Sequence, residues 1–181
     1  MPFHRYLLIA CLLLMVGCRE KKEFNKVERG FYFWRSRFIL SPAEKQALQQ
    51  LKTQQLYVKF FDVEWDANRQ LPQPIAKIKF AESWPSNVSL VPVVFITNET
   101  LHHASPDAIA RLALQMVQLM QSMLENQHLP DPQEIQIDCD WTSTTTDRYF
   151  LLLAQLRKTD FLAHKKLSAT IRLHQVKYRM Q

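Results

Sequence analysis

The chain is nearly without glycine: Gly17 and Gly30 are the only two in 181 residues. Loops that cradle phosphate rely on glycine so that backbone N–H groups can approach the anion. Nucleotide sites of the P-loop and dinucleotide-binding types are therefore excluded. Cysteine is almost as scarce, at three. No Cys-x-x-Cys or His-x-x-x-His spacing occurs, and His102-His103 form a loop pair with no evident third ligand, so neither a metal nor another cofactor is expected. Basic residues exceed acidic ones, giving a formal net charge of +6, but the excess is spread along the chain. Lys21, Lys22, Lys26 and Arg29 lie toward one end, and Lys158, Lys165, Lys166, Arg172, Lys177 and Arg179 toward the other. A nucleic-acid surface needs a dense basic stripe, so no nucleic-acid partner is expected; attraction to anionic lipid headgroups fits the pattern better. Missing too is any apolar run of about 20 residues, the length a membrane-spanning helix requires.

What the beginning of the chain does have is a shorter apolar run. Residues 6–16 follow Arg5, and charge returns at once in Arg19-Glu20-Lys21-Lys22-Glu23. That length matches the core of a secretory signal. Leu14-Met15-Val16-Gly17-Cys18 resembles the lipobox of bacterial lipoproteins, with Met15 standing where leucine is commoner. In that family the cysteine thiol is acylated and becomes the first residue of the mature protein. The resemblance implies a signal peptide over residues 1–17, lipidation of Cys18 and a place on the bacterial cell envelope. Residues 18–30 then form a charged tether. One acyl chain anchors only marginally, whereas the diacylglyceryl and N-acyl groups implied by the resemblance anchor stably. The alternative is an ordinary signal peptide whose cysteine is incidental. With Cys11 removed and Cys18 acylated, Cys139 has no disulfide partner. It shares a face with Ile135, Ile137 and Trp141, the setting of a small buried apolar residue.

The rest of the chain is 47% apolar and 22% charged over its full length, ordinary for a globular domain. An aromatic strand is expected over residues 31–38. Ser41-Pro42-Ala43-Glu44 then starts a helix: Ser41 caps, Pro42 fits the first turn and Glu44 completes the capping box. A second strand covers 56–65, a proline-bearing loop 66–74 and an accessory strand 75–80. Residues 89–97 are nearly all apolar, as in a strand buried on both faces, with Pro92 placing its start nearby. Ser105-Pro106-Asp107 opens the longest helix, with Ile109, Leu112, Met116, Leu119, Met120 and Met123 inward. A strand over 134–141, a helix over 144–158 and a last strand over 167–178 complete the order. Strand alternating with helix calls for an α/β fold with a parallel sheet. Five main strands fall short of the eight, in about 250 residues, of a complete barrel. The expectation is a parallel-stranded partial TIM-like (β/α) barrel, truncated, over residues 31–181.

Alternation also exposes polar faces inside these strands. Gln136, Asp138 and Asp140 oppose Ile135, Ile137, Cys139 and Trp141, while Thr170, Arg172 and His174 oppose Ala169, Ile171 and Leu173. If the strands are neighbours, Asp138 or Asp140 meets Arg172 and His174 at the carboxyl ends of the strands, where sites in such sheets are built. Lys59 lies in the second strand, and Asp62 and Glu64 near its end are weaker candidates. A satisfied ion pair and a hydrogen-bonded histidine are the structural alternatives to catalysis.

Four strings, residues 56–66, 91–98, 135–142 and 171–175, are similar in content and order to an uncharacterised lipoprotein family of Bacteroidetes-type genomes. Its members resemble glycoside-hydrolase barrels, which implies a (β/α) barrel but no particular activity. Asp138-Cys139-Asp140-Trp141 also resembles the fourth-strand motif of chitinase-like barrels, yet Thr142-Ser143-Thr144 follow where that family places its glutamate. The resulting expectation is a membrane-anchored lipoprotein with a glycosidase-like barrel fragment, carbohydrate-related and inactive alone. Asp138 or Asp140 would serve as acid or stabiliser, tuned by Arg172 and His174. The alternative is a non-catalytic surface lipoprotein binding a glycan or protein partner, with Trp65, Trp84 and Trp141 as candidates to stack on sugar rings.

Overall fold

The computed structural model describes residues 28–173 and 175. Cys18, the leader over 1–17, all of the tether but 28–30, and His174 lie outside the described residues. The first strand signal resolves into two pieces, β1 (Gly30–Phe33) and β2 (Arg37–Phe38). Helix α1 (Pro42–Gln50) begins as its sequence dictates: Ser41 accepts from the Glu44 backbone N–H and the Glu44 carboxylate accepts from the Ser41 N–H. Then follow β3 (Gln55–Asp66), β4 (Leu71–Ile75), β5 (Lys79–Phe80) and β6 (Ser89–Ile96). Helices α2 (Asn98–His103) and α3 (Pro106–Asn126) lead to β7 (Glu134–Cys139). Helix α4 (Thr146–Arg157), a 3₁₀ turn (Asp160–Leu162) and β8 (Lys166–Ala169) complete the described elements.

The central sheet has the order β1-β3-β6-β7-β8, all parallel, with β4 antiparallel on the far half of β3. The expected α/β class with a mostly parallel sheet is therefore present. Among the described residues the sheet is open, with β1 and β4 along one edge and β8 at the other. The last strand is also shorter than its alternation suggests: it ends at Ala169, and residues 170–173, expected within it, lie outside the strand. Its final rung joins Ala169 to Ile137, and Ile171 and Leu173 beyond it are exposed. Alternating side chains need a neighbouring strand to become a strand themselves, and at this edge the ladder ends.

One face of the sheet carries the main core. Leu56, Val58, Phe61 and Val63 of β3, Leu90, Val94 and Ile96 of β6, and Ile135, Ile137 and Cys139 of β7 pack there against the helices. Helix α3 contributes Ile109, Leu112, Ala113, Met116, Val117, Met120 and Leu124, a stripe at the three-and-four spacing of one helical face. Leu119 and Met123, expected inward, fall at its margin and are half-buried. Tyr149 of α4 is fully buried, and its hydroxyl donates to the Ile137 carbonyl at 3.1 Å. The short β2–β5 ribbon delivers Phe38 and Phe80 to an aromatic cluster with Phe33, Phe60 and Trp84.

Candidate functional site

The opposite sheet face holds the polar residues, and the register arranges them in rows. Tyr32 aligns with Tyr57 and Val91; Lys59 with Val93, Gln136 and Ser168; Asp62 with Phe95 and Asp138. This placement depends on a bulge. Side chains three apart on a regular strand point to opposite faces, but the β3–β6 register slips between Lys59 and Phe61. The extra residue, Phe60, is buried like Phe61, and its carbonyl accepts from the Ile78 N–H at 2.8 Å. Lys59 and Asp62 thus share a face and form an ion pair at 2.9 Å.

The face is curled. Three strand spacings of about 4.8 Å separate β1 from β7 in a flat sheet. The Tyr32 hydroxyl nevertheless donates directly to Gln136 Oε1 at 3.0 Å. The same curl buries Val91 and Val93, which point away from the helices. Gly30 lets Tyr57 lie flat at the β1 edge, since a Cβ there would stand 3.0 Å from the Tyr57 ring. Tyr57 packs on Tyr32 at 4.8 Å, and Tyr32 stacks on Trp34 at 6.0 Å and 20°. Burial pushes the Tyr57 phenol above its ordinary value, with the Glu134 charge adding to the effect.

At the bottom of this surface two polar atoms are buried without a hydrogen-bond partner among the described residues: Gln136 Nε2 and Asp62 Oδ1. Gln136 is only 4% exposed, whereas Tyr32 and Trp34 on the rim are 50% and 43% exposed. The Lys59 ammonium lies 5.8 Å from the Trp34 ring centre. Lys166 pairs with Glu134 at 2.7 Å, a hydrogen bond that raises the lysine above its ordinary value.

Of the residues singled out in the sequence, Asp138 accepts a hydrogen bond from Thr170, and Asp140 pairs with Arg172. Arg172 does so from a turn rather than a strand: Gln175 donates its backbone N–H to the Arg172 carbonyl, and its side-chain amide donates to the Trp141 carbonyl. Asp62 shares its row with Asp138, on the far side of Phe95. Glu64 is exposed opposite Gln73 in the β3–β4 ladder and does not join the row. The three expected sugar-stacking tryptophans lie elsewhere. Trp65 stacks on His103, Trp84 on Phe38 and Trp141 on Tyr149, and all three are half-buried. The exposed rings, Tyr32 and Trp34, were legible as the second parity of the first strand, hidden by a run in which both parities are aromatic.

Cys139 is a free thiol on the core face, 1% exposed; burial, aided by Asp140 and Asp138, pushes it up to about 12. Among the described residues, no group of three or more histidine, cysteine or acidic side chains converges to hold a metal. None of the helices described is long and apolar enough to cross a membrane. Comparison with known proteins gives no match: no family model fits the chain, and no curated protein or solved structure is significantly similar to it.

Proposed function

We propose that this chain is a lipid-anchored protein of the bacterial envelope whose curled sheet face binds carbohydrate without hydrolysing it. The observation that carries the reading is the exposed Tyr32–Trp34 ring pair beside Gln136 Nε2 and Asp62 Oδ1, two buried atoms with no hydrogen-bond partner among the described residues. A sugar ring offers an apolar C–H face to an aromatic plane and a rim of hydroxyls that both donate and accept. A surface with rings above and one free donor and one free acceptor below complements it. Hydrolysis asks for more: two carboxyl groups about 5–5.5 Å or about 6.5–9.5 Å apart, one of them free to give a proton. Here Asp62 is engaged by Lys59, Asp138 by Thr170 and Asp140 by Arg172, which favours binding.

The barrel reading rests on the strand order, which follows the chain without reversal, and on the curl that the Tyr32–Gln136 bond demands. The anchor rests on the lipobox-like string ending at Cys18. Retention on a panel of polysaccharide gels tests the binding. Trp34→Ala and Gln136→Leu are each expected to weaken retention about tenfold, the scale of one lost aromatic face or one buried hydrogen bond. Retention unaffected by both substitutions overturns the binding reading. Release of reducing sugar, abolished by Asp140→Asn, overturns the non-catalytic part. For the anchor, Cys18→Ser is expected to leave an unprocessed precursor that incorporates no labelled palmitate.

A further inference from the structure

A second site lies on the helix side of the sheet, toward the amino-terminal ends of β3 and β6. Helix α1 is unusual in having no buried side chain, although Leu48 turns inward. It is held instead by its ends and its rim. Arg35 pairs with Glu44 at 2.8 Å, Lys45 reaches across to Glu82 at 2.8 Å, and the last turn closes by hydrogen bonds to Lys52 and Thr53. Between α1 and the 82–88 loop this leaves a cleft of about 780 Å³, within the size range of small-molecule sites. One wall is apolar, formed by Leu48, Trp84 and Val88, with Trp84 fixed by a 2.7 Å bond from its indole N–H to the Val88 carbonyl.

The polar end of the cleft has a definite charge. Glu82 neutralises Lys45, so Lys52 remains as a cation with no ion-pair partner among the described residues. The backbone of Lys52 is anchored, because its N–H donates to Gln49 and the next N–H, of Thr53, donates to Leu48. Thr53 also lines the cleft. It is 6% exposed, and its hydroxyl is buried with no hydrogen-bond partner among the described residues. A buried hydroxyl without an acceptor is costly, and Lys52, its exposed neighbour in the chain, supplies the charge that would draw an anionic acceptor into the cleft.

We propose that this cleft binds a monoanionic amphiphile, with its apolar body against Leu48, Trp84 and Val88 and its acidic head at Lys52. A single unpaired cation matches one negative charge, and the apolar wall excludes a purely polar anion. Filling the space under α1 gives that helix the packing its own side chains do not supply. The site is separate from the curled face and does not depend on it. Calorimetric titration of the full chain with decanoate and, separately, with decanol tests the proposal. Decanoate is expected to bind saturably at one per chain and to raise the melting temperature. Lys52→Asn, which keeps a residue tolerant of the backbone conformation there, should weaken decanoate about tenfold and leave decanol unchanged. Ser83→Trp, which fills the cleft from its exposed loop, should abolish binding of both. Absence of saturable decanoate binding overturns the proposal. So does equal decanoate affinity in the parent and Lys52→Asn, or binding that survives Ser83→Trp.

Discussion

Cys139 shows how far a single side chain's position reaches into measurable behaviour. Its alternation with Ile135 and Ile137 was readable in the sequence, because a strand packed against helices on one face enforces a period of two. Buried there, the thiol keeps its proton up to about 12, from an ordinary value of 9.0. The sign follows from linkage: above pH 9 the unfolded chain loses this proton while the native chain retains it, so stability falls as pH rises past 9. Cys139→Ala should flatten that alkaline decline in a pH series of melting temperatures. An aromatic disulfide reagent should label the native thiol only as fast as the protein opens. The Lys59–Asp62 pair was not readable in the same way. Its geometry needs the one-residue slip at Phe60, and nothing in Lys-Phe-Phe-Asp distinguishes a bulge from a regular strand.

Among the elements, the starts of α1 and α3 were legible and their ends were not, while α2, which carries the His102-His103 pair expected in a loop, was missed. Ser41-Pro42-Ala43-Glu44 and Ser105-Pro106 act through local hydrogen bonds that sequence alone specifies. The ends of α1 and α3 use a motif that normally carries glycine, which this chain almost lacks. After α3, the His128 N–H donates to Glu125 and the Leu129 N–H to Leu124, with His128 at a φ of 48°. Lys52 repeats the arrangement after α1 at a φ of 49°. A residue with a Cβ is strained there, so His128→Gly should stabilise by about 0.5–1 kcal/mol after allowing for the freer unfolded chain. The expected observation is a higher urea midpoint with an unchanged slope. Helix α1 also carries an acid dependence. Hydrogen bonding to Ser41 holds Glu44 below its ordinary 4.5, and Lys45 does the same for Glu82. A carboxylate depressed in the native state stabilises above its unfolded value, and that share is lost as pH falls. Stability should decline below pH 4.5, less steeply in Glu82→Gln.

For the molecule as a whole, the α/β class and the parallel sheet were legible because strand and helix periods alternate along the chain. Where the sheet ends was not, since an edge is decided by the absence of a neighbour. The strand order also has a consequence in time. Among the described strands only β3 and β4 join through a tight hairpin; every rung of β1, β6, β7 and β8 closes a longer loop. Such topologies fold slowly, because loop entropy is lost before contacts compensate it. The Tyr32–Gln136 bond joins positions 104 residues apart and requires β1, β3, β6 and β7 to be aligned already. It is therefore expected to form after the rate-limiting step. Tyr32→Phe leaves both polar atoms of Gln136 buried and unpartnered, a cost of about 1–3 kcal/mol. In stopped-flow measurements that cost should appear almost wholly as faster unfolding, about tenfold or more, with the refolding rate unchanged. A strap fastened last holds the curl by delaying its escape: the curvature of the candidate binding face is then a matter of lifetime as much as of equilibrium.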